Sequence, residues 1–87
     1  MGNVMDMQAR LNHLKDEIVG CVYRHFKGGT YMAINMAINT ETEEIMVIYC
    51  DIDSDMVWCI PFSEFISKVD HEKYLDVKQT LRFKRIR

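Results

Sequence analysis

Within residues 22–31 the chain sets Tyr23, Arg24, His25, Phe26, Lys27 and Tyr31 around the pair Gly28 and Gly29. The cations and the imidazole offer N–H donors to an anion, and the aromatic faces offer stacking surfaces to a planar ring. Strand side chains alternate between two faces, so one such segment can fill a core and still present a polar aromatic surface. Further along, Tyr49 and Trp58 add rings, and Arg82 and Lys84 add cations. Together they fit a ligand carrying both a phosphate and a ring, either a nucleotide or a nucleic acid. Tyr31, Tyr49 and Trp58 are the candidates for stacking, and Arg24, His25 and Lys27 for phosphate contacts. Asn39 and Thr42 would supply polar readout, and Arg82 and Lys84 the surrounding basic field. Tyr49 and Trp58 suit a hydrophobic core equally well.

Several catalytic and metal chemistries are dismissed by spacing. Gly28 and Gly29 are not followed by the Lys-Ser/Thr of a phosphate loop. Cys21 and His25 fall on one strand face about 13 Å apart at ~3.3 Å per residue, too far for a nucleophile and its base. Asp51, Asp53 and Asp55 begin like a calcium loop, but Met56 and Phe62 stand where its glycine and bidentate glutamate belong. His13, His25 and His71 have no zinc spacing. No catalytic residue, metal or cofactor is expected, and the chain reads as a non-enzymatic protein.

Composition bounds the rest. The 87 residues suffice for one domain with a modest core, and 48% of them are hydrophobic, which argues against disorder. No apolar run approaches the ~20 residues of a membrane span, and no signal peptide is read at the start. Cys21, Cys50 and Cys59 are an odd set without a C-x-x-C pair, which favours a reducing, cytoplasmic setting. The net charge of -2 conceals two opposite blocks. Glu41, Glu43, Glu44, Asp51, Asp53 and Asp55 have no cation among them, whereas Lys78, Arg82, Lys84, Arg85 and Arg87 have no carboxylate among them. These blocks read either as solvated loops with a charged edge strand or as a field that draws in an anion.

The elements that must position these groups follow from periodicity. Val4, Met7, Leu11, Leu14 and Ile18 form one apolar stripe, so residues 1–18 read as an amphipathic helix with Asn3 as its N-cap. The same 3-4-3-4 spacing fits a seam between subunits through Val4, Met7, Leu11 and Leu14, so homo-oligomerisation is a second expectation. From Val19 the period drops to two. Strands are expected over 19–26, 30–39, 44–50, 56–60 and 80–86, with a hairpin at Gly28–Gly29. In the second strand Met32, Ile34, Met36 and Ile38 should face the core. Ser63 should cap a short helical turn, and Leu81 and Phe83 should face in. Short strands with brief turns exclude a parallel sheet. The expected fold is mainly β: residues 19–87 as a small five-stranded antiparallel SH3-like barrel, with the N-terminal helix appended.

The segment from Tyr23 through Lys27-Gly-Gly-Thr-Tyr31, together with Ala37, Thr40-Glu-Thr42, Val47-Ile-Tyr49, Trp58, Pro61, Phe65 and Val69, resembles the bacterial and phage domain-of-unknown-function family 1653. The likeness runs over roughly residues 22–86 and leaves out the N-terminal helix. It implies a compact β module of unassigned activity. Ile60 stands where the family usually has an arginine before the proline, and Asn39 where it often has a histidine, which implies a different ligand if those groups touch one.

The functional expectation is a binding module for an anionic small molecule, a nucleotide or cyclic nucleotide signal, in a homo-oligomer. Sequestration of a host immune signal is one coherent version for a short phage-type protein. The alternative is an adaptor whose basic C-terminal strand holds a nucleic acid or a protein.

Overall fold

The computed structural model describes residues 4–87; the expected cap at Asn3 and the side chain of Val4 lie outside the described residues. Helix α1 (Val4–Ile18) leads into strands β1 (Val22–His25), β2 (Thr30–Ile38), β3 (Ile45–Asp51) and β4 (Val57–Pro61). A single helical turn, α2 (Phe62–Phe65), follows, and then a long irregular connection to β5 (Phe83–Arg85). All neighbouring strands pair antiparallel, in the order β4-β3-β2-β1-β5. The protein is thus mainly β with five antiparallel strands and an N-terminal helix.

The sheet is open, and no ladder joins β4 to β5 among the described residues. The space between these edges is filled by a side chain instead. Phe65 from α2 is buried, stacks on Phe83 at 4.6 Å between ring centroids, and meets the Tyr23 ring edge-on at 4.9 Å.

Helix α1 packs Leu11, Leu14 and Ile18 of its apolar stripe on its own domain. Leu11, 6% exposed, and Ile18 belong to the buried core with Ala33, Met36, Val47, Phe65 and Phe83, and Leu14 packs against them. Burying such side chains contributes about 1.5–3 kcal/mol each, ample reason for the helix to lie on the sheet. Gly20, at φ 88, turns the chain out of the helix, and its N–H donates to Ala33 O over 2.8 Å. That exchange shortens the expected first strand to Val22–His25.

Strand β2 departs from simple alternation. Ala33 pairs with Tyr49, but Asn35 pairs with Ile48, so Ile34 is an extra residue in a β-bulge. Before the bulge Ala33 faces the core and Met32 does not; after it Met36 and Ile38 face in. Ile34, expected inside, is turned out and is 41% exposed.

Two smaller expectations are also corrected. Pro61 occupies the N-cap of α2 and no side chain caps it, so Ser63 does not. The chain bends at Arg82, leaving Leu81 exposed in an isolated bridge to Lys68 while Phe83 is buried. No helix is long and apolar enough to cross a membrane among the described residues.

Candidate anion-binding cleft

The β1–β2 hairpin is built by its glycines. Gly28 and Gly29 take φ 99 and 87, a region closed to most side chains, and His25 N donates to Gly29 O to close the turn. The turn tip bends Lys27 back over β1, where its backbone N–H donates to His25 Nδ1 at 3.1 Å. An accepting Nδ1 carries no proton, so the neutral ring holds its proton on Nε2 and presents that atom as a donor. His25 packs edge-on against Phe83 at 4.9 Å and Tyr31 at 6.3 Å, and lies tilted on Phe26 at 4.7 Å. Burial, then the nearby charges of Arg82 and Lys27, lower its pKa, so the ring is neutral around pH 7.

The irregular connection over residues 66–82 closes the other side. Val69 is buried, and its N–H donates to Thr80 O, while Arg82 N donates to Ser67 O. Asp70 organises the turn between them, because its Oδ1 accepts from the backbone N–H of Glu72 and Lys73. Gln79 pins the loop to β1 through a bond from its Nε2 to Arg24 O at 3.0 Å. Tyr74 then packs edge-on against Phe26 at 4.9 Å.

The result is a cleft of about 310 Å³ in which Lys27, Lys68, Lys73 and Arg82 converge with His25, Phe26 and Tyr74. Asp70 is its one carboxylate. None of the four cations is ion-paired among the described residues. The ammonium groups of Lys27 and Lys73 instead lie 5.2 and 5.4 Å from the centre of the Tyr74 ring. Hydrogen bonding to Lys27 lowers the Tyr74 pKa, since the ammonium favours the phenolate. Nε of Arg82 is buried with no hydrogen-bond partner. A desolvated guanidinium nitrogen without an acceptor costs free energy that an anion in the cleft would return.

Beside the cleft lies an aromatic wall on the inner face of the sheet. Tyr31 and Tyr49 meet edge-on at 5.3 Å, and Tyr49 meets Phe83 at 5.3 Å. The Tyr49 pKa is raised by burial and by Tyr31, and Arg82 is close enough to oppose the shift. Trp58 stands opposite Tyr49 in the β3–β4 ladder and is 48% exposed, so it is not core.

The structure divides the sequence-stated candidates into four groups. His25, Lys27 and Arg82 line the cleft, and Tyr31, Tyr49 and Trp58 form the wall beside it. Arg24 and Lys84 are ladder partners on the opposite face; Lys84 lines a separate basic cleft with Lys78, Gln79, Thr80 and Leu81. Asn39 and Thr42 are removed from the cleft altogether. They sit at the far end of β2, about 26 Å from Tyr31 at ~3.3 Å per residue. Asn39 Oδ1 accepts from Glu41 and Thr42 N–H, and Thr42 Oγ1 from Glu44 N–H, so both are turn formers. Lys68, Lys73 and Tyr74 were missed. The one sequence signal for them is a cluster of cations and a tyrosine in a segment that has no periodicity to orient it.

Two other clefts flank α1, one lined by Met7, Arg10, Thr42, Glu43 and Glu44 and one by Asp16, Glu17, Cys21 and Arg85 among others. Each sets carboxylates against a single arginine, which does not suit an anion.

The family model described as "Protein of unknown function (DUF1653)" matches residues 21–85, and the chain belongs to this family. Helix α1 lies outside the match. The fold is similar to a crystal structure of a DUF1653 protein from Bordetella bronchiseptica, at a TM-score of 0.65 and 24% identity. That likeness covers 82% of this chain and 90% of the other. No curated protein matches the chain.

Proposed function

We propose that this DUF1653 protein is a non-catalytic binding module for an anionic small ligand of the nucleotide class. The phosphate would sit among Lys27, Lys68, Lys73 and Arg82, with His25 Nε2–H as a neutral donor, and the ring against the neighbouring aromatics. The observation that carries this reading is Arg82. It links the basic cleft to Tyr49 and has a buried, unsatisfied Nε at their junction. The scaffold we read as an SH3-like barrel whose gap between β4 and β5 is filled by Phe65 rather than by a ladder.

A thermal-shift series with orthophosphate, AMP, a cyclic dinucleotide, ADP-ribose and uncharged adenosine tests it. A ligand that binds the folded state alone raises Tm in step with its excess over Kd. Phosphate-bearing ligands should stabilise, adenosine should not, and Lys27→Ala or Arg82→Gln should remove the shift. The absence of any shift across the series would refute the reading.

The second cleft, around Lys78 and Lys84, favours one alternative. A single-stranded nucleic acid could run from one basic cleft to the other. Its signature is a steep loss of affinity with salt, because each neutralised phosphate releases counterions.

A further inference from the structure

The outer face of the sheet, opposite α1, is largely apolar across its middle, and its β2–β4 part is open to solvent at Ile34, Val57 and Cys59, whereas Val22 on β1 is buried. One row crosses four strands as Val22, Met32, Cys50 and Val57. The next holds Asn35, Ile48 and Cys59, with bulged Ile34 beside them, and the next Ala37, Met46 and Pro61. Val57 is 57% exposed, and Ile34 and Cys59 are exposed as well. None of these positions is charged. A contiguous apolar patch of this kind on a small domain marks an interface. The bulge enlarges it by turning Ile34 outward, at the expense of a buried isoleucine.

Charge at one end of this face says what covers it. Arg24 and Lys84 pair in the ladder on the β1–β5 side. At the same end on the β3–β4 side, Ile52 N donates to Thr30 O, which sets Ile52 level with that basic pair, and the exposed Asp53 and Asp55 follow in the turn just beyond it. This end of the sheet therefore has a basic corner at Lys84 and Arg24 and an acidic turn beyond Ile52 at the other corner. A two-fold axis along the strand direction, lying in the plane of contact, brings the basic corner of each copy onto the acidic corner of the other. The same rotation lays the two apolar centres on each other, as sheets pack in an aligned sandwich. Five strands at ~4.8 Å, averaging between five and six residues at ~3.3 Å, give a face on the order of 440 Å² before side-chain relief. That is about half of the ~800 Å² per partner of a standard interface, the size of a weak, concentration-dependent one.

We infer that the occupant of the outer face is a second copy of this chain, stacked sheet on sheet about that two-fold. Self-association then uses the sheet, and α1 stays with its own domain. The anion cleft, formed by the 66–82 connection and the hairpin tip, is a separate site, so this dimer stands or falls independently of the ligand.

Sedimentation and light scattering of the full chain at low salt provide the test. The expected mass is twice 10.3 kDa. Ile34→Lys and Val57→Lys, both at exposed positions, should return it to the single-chain mass with an unchanged circular-dichroism spectrum. Lys84→Glu alone and Asp53→Lys alone should each weaken association at least about tenfold through like-charge contacts. Mixing those two variants should restore it, because each altered corner then meets its opposite. A monomer at every concentration would overturn the inference. So would a dimer indifferent to Ile34→Lys and Val57→Lys, or a mixture that stays monomeric.

Discussion

His25 Nδ1 accepts the backbone N–H of Lys27 at 3.1 Å, so the hairpin that carries one cation of the cleft also fixes the tautomer of its imidazole. The ring is held neutral by burial first and by Arg82 and Lys27 next. The folded protein therefore takes up this proton at a lower pH than the unfolded chain, whose imidazole titrates near the ordinary ~6.5. Where the unfolded state binds more protons, stability rises with pH. The His25 contribution is thus complete above that value and is lost as pH falls toward the folded pKa. Urea midpoints measured from about pH 8 down to about pH 5 should fall for the wild type and fall less for His25→Asn. Equal slopes would mean that the ring is not the titrating group. Sulfate, divalent throughout, should protect the wild type more as pH falls, since an anion in the cleft favours the protonated ring.

Arg82 is the residue at which binding and stability should separate. Its Nε is buried without an acceptor, a cost the empty protein bears. Arg82→Met keeps the length of the stem and removes the unsatisfied group. Its Tm should match or exceed that of the wild type while the phosphate-induced shift disappears, the trade-off expected where a site is kept at the expense of stability. A large drop in Tm would show instead that Arg82 is structural.

Gly29 is required twice. Its φ is 87, and a Cβ added there would stand 3.1–3.3 Å from the Tyr31 phenol. Gly29→Ala must strain the backbone and displace Tyr31 from His25 and Tyr49. A cost of about 1–2 kcal/mol is expected, which lowers Tm by about 4–8 °C for each kcal/mol in a domain of this size. Gly28, whose added Cβ would meet nothing within 4 Å, carries the backbone strain alone, so Gly28→Ala should cost less.

Phe65 is the side chain that stands in for barrel closure. Phe65→Ala would empty the contact with Phe83, Tyr23 and Tyr49 and should cost about 3–5 kcal/mol by denaturant titration. A loss below ~1 kcal/mol would mean that the open edge is held elsewhere.

Much of this architecture was legible because local chemistry dictated it. Gly28 and Gly29 announced a hairpin that only positive φ can make, and the α1 stripe announced a buried face. Alternation failed at Met32 and Ile34 because one inserted residue reverses the face of the side chains on one side of it relative to the other, and nothing in the residue types marks the insertion. His25, Lys27 and Arg82 were legible as donors, but their convergence was not. It depends on residues 66–82 folding back through the backbone bond of Val69 to Thr80 and the packing of Tyr74 on Phe26. Asn39 and Thr42 looked like readout residues because turn formers and ligand donors share the same polar groups.

The most direct measurement is an amide and imidazole NMR titration of the protein with AMP. The largest shifts are expected at Lys27, Lys73, Tyr74 and Arg82 and on the His25 ring, with Tyr31 and Tyr49 following and Asn39 and Thr42 unmoved. Shifts confined to Lys78, Gln79, Thr80, Leu81 and Lys84, or none at saturating AMP, would contradict the assignment of the cleft as the ligand site.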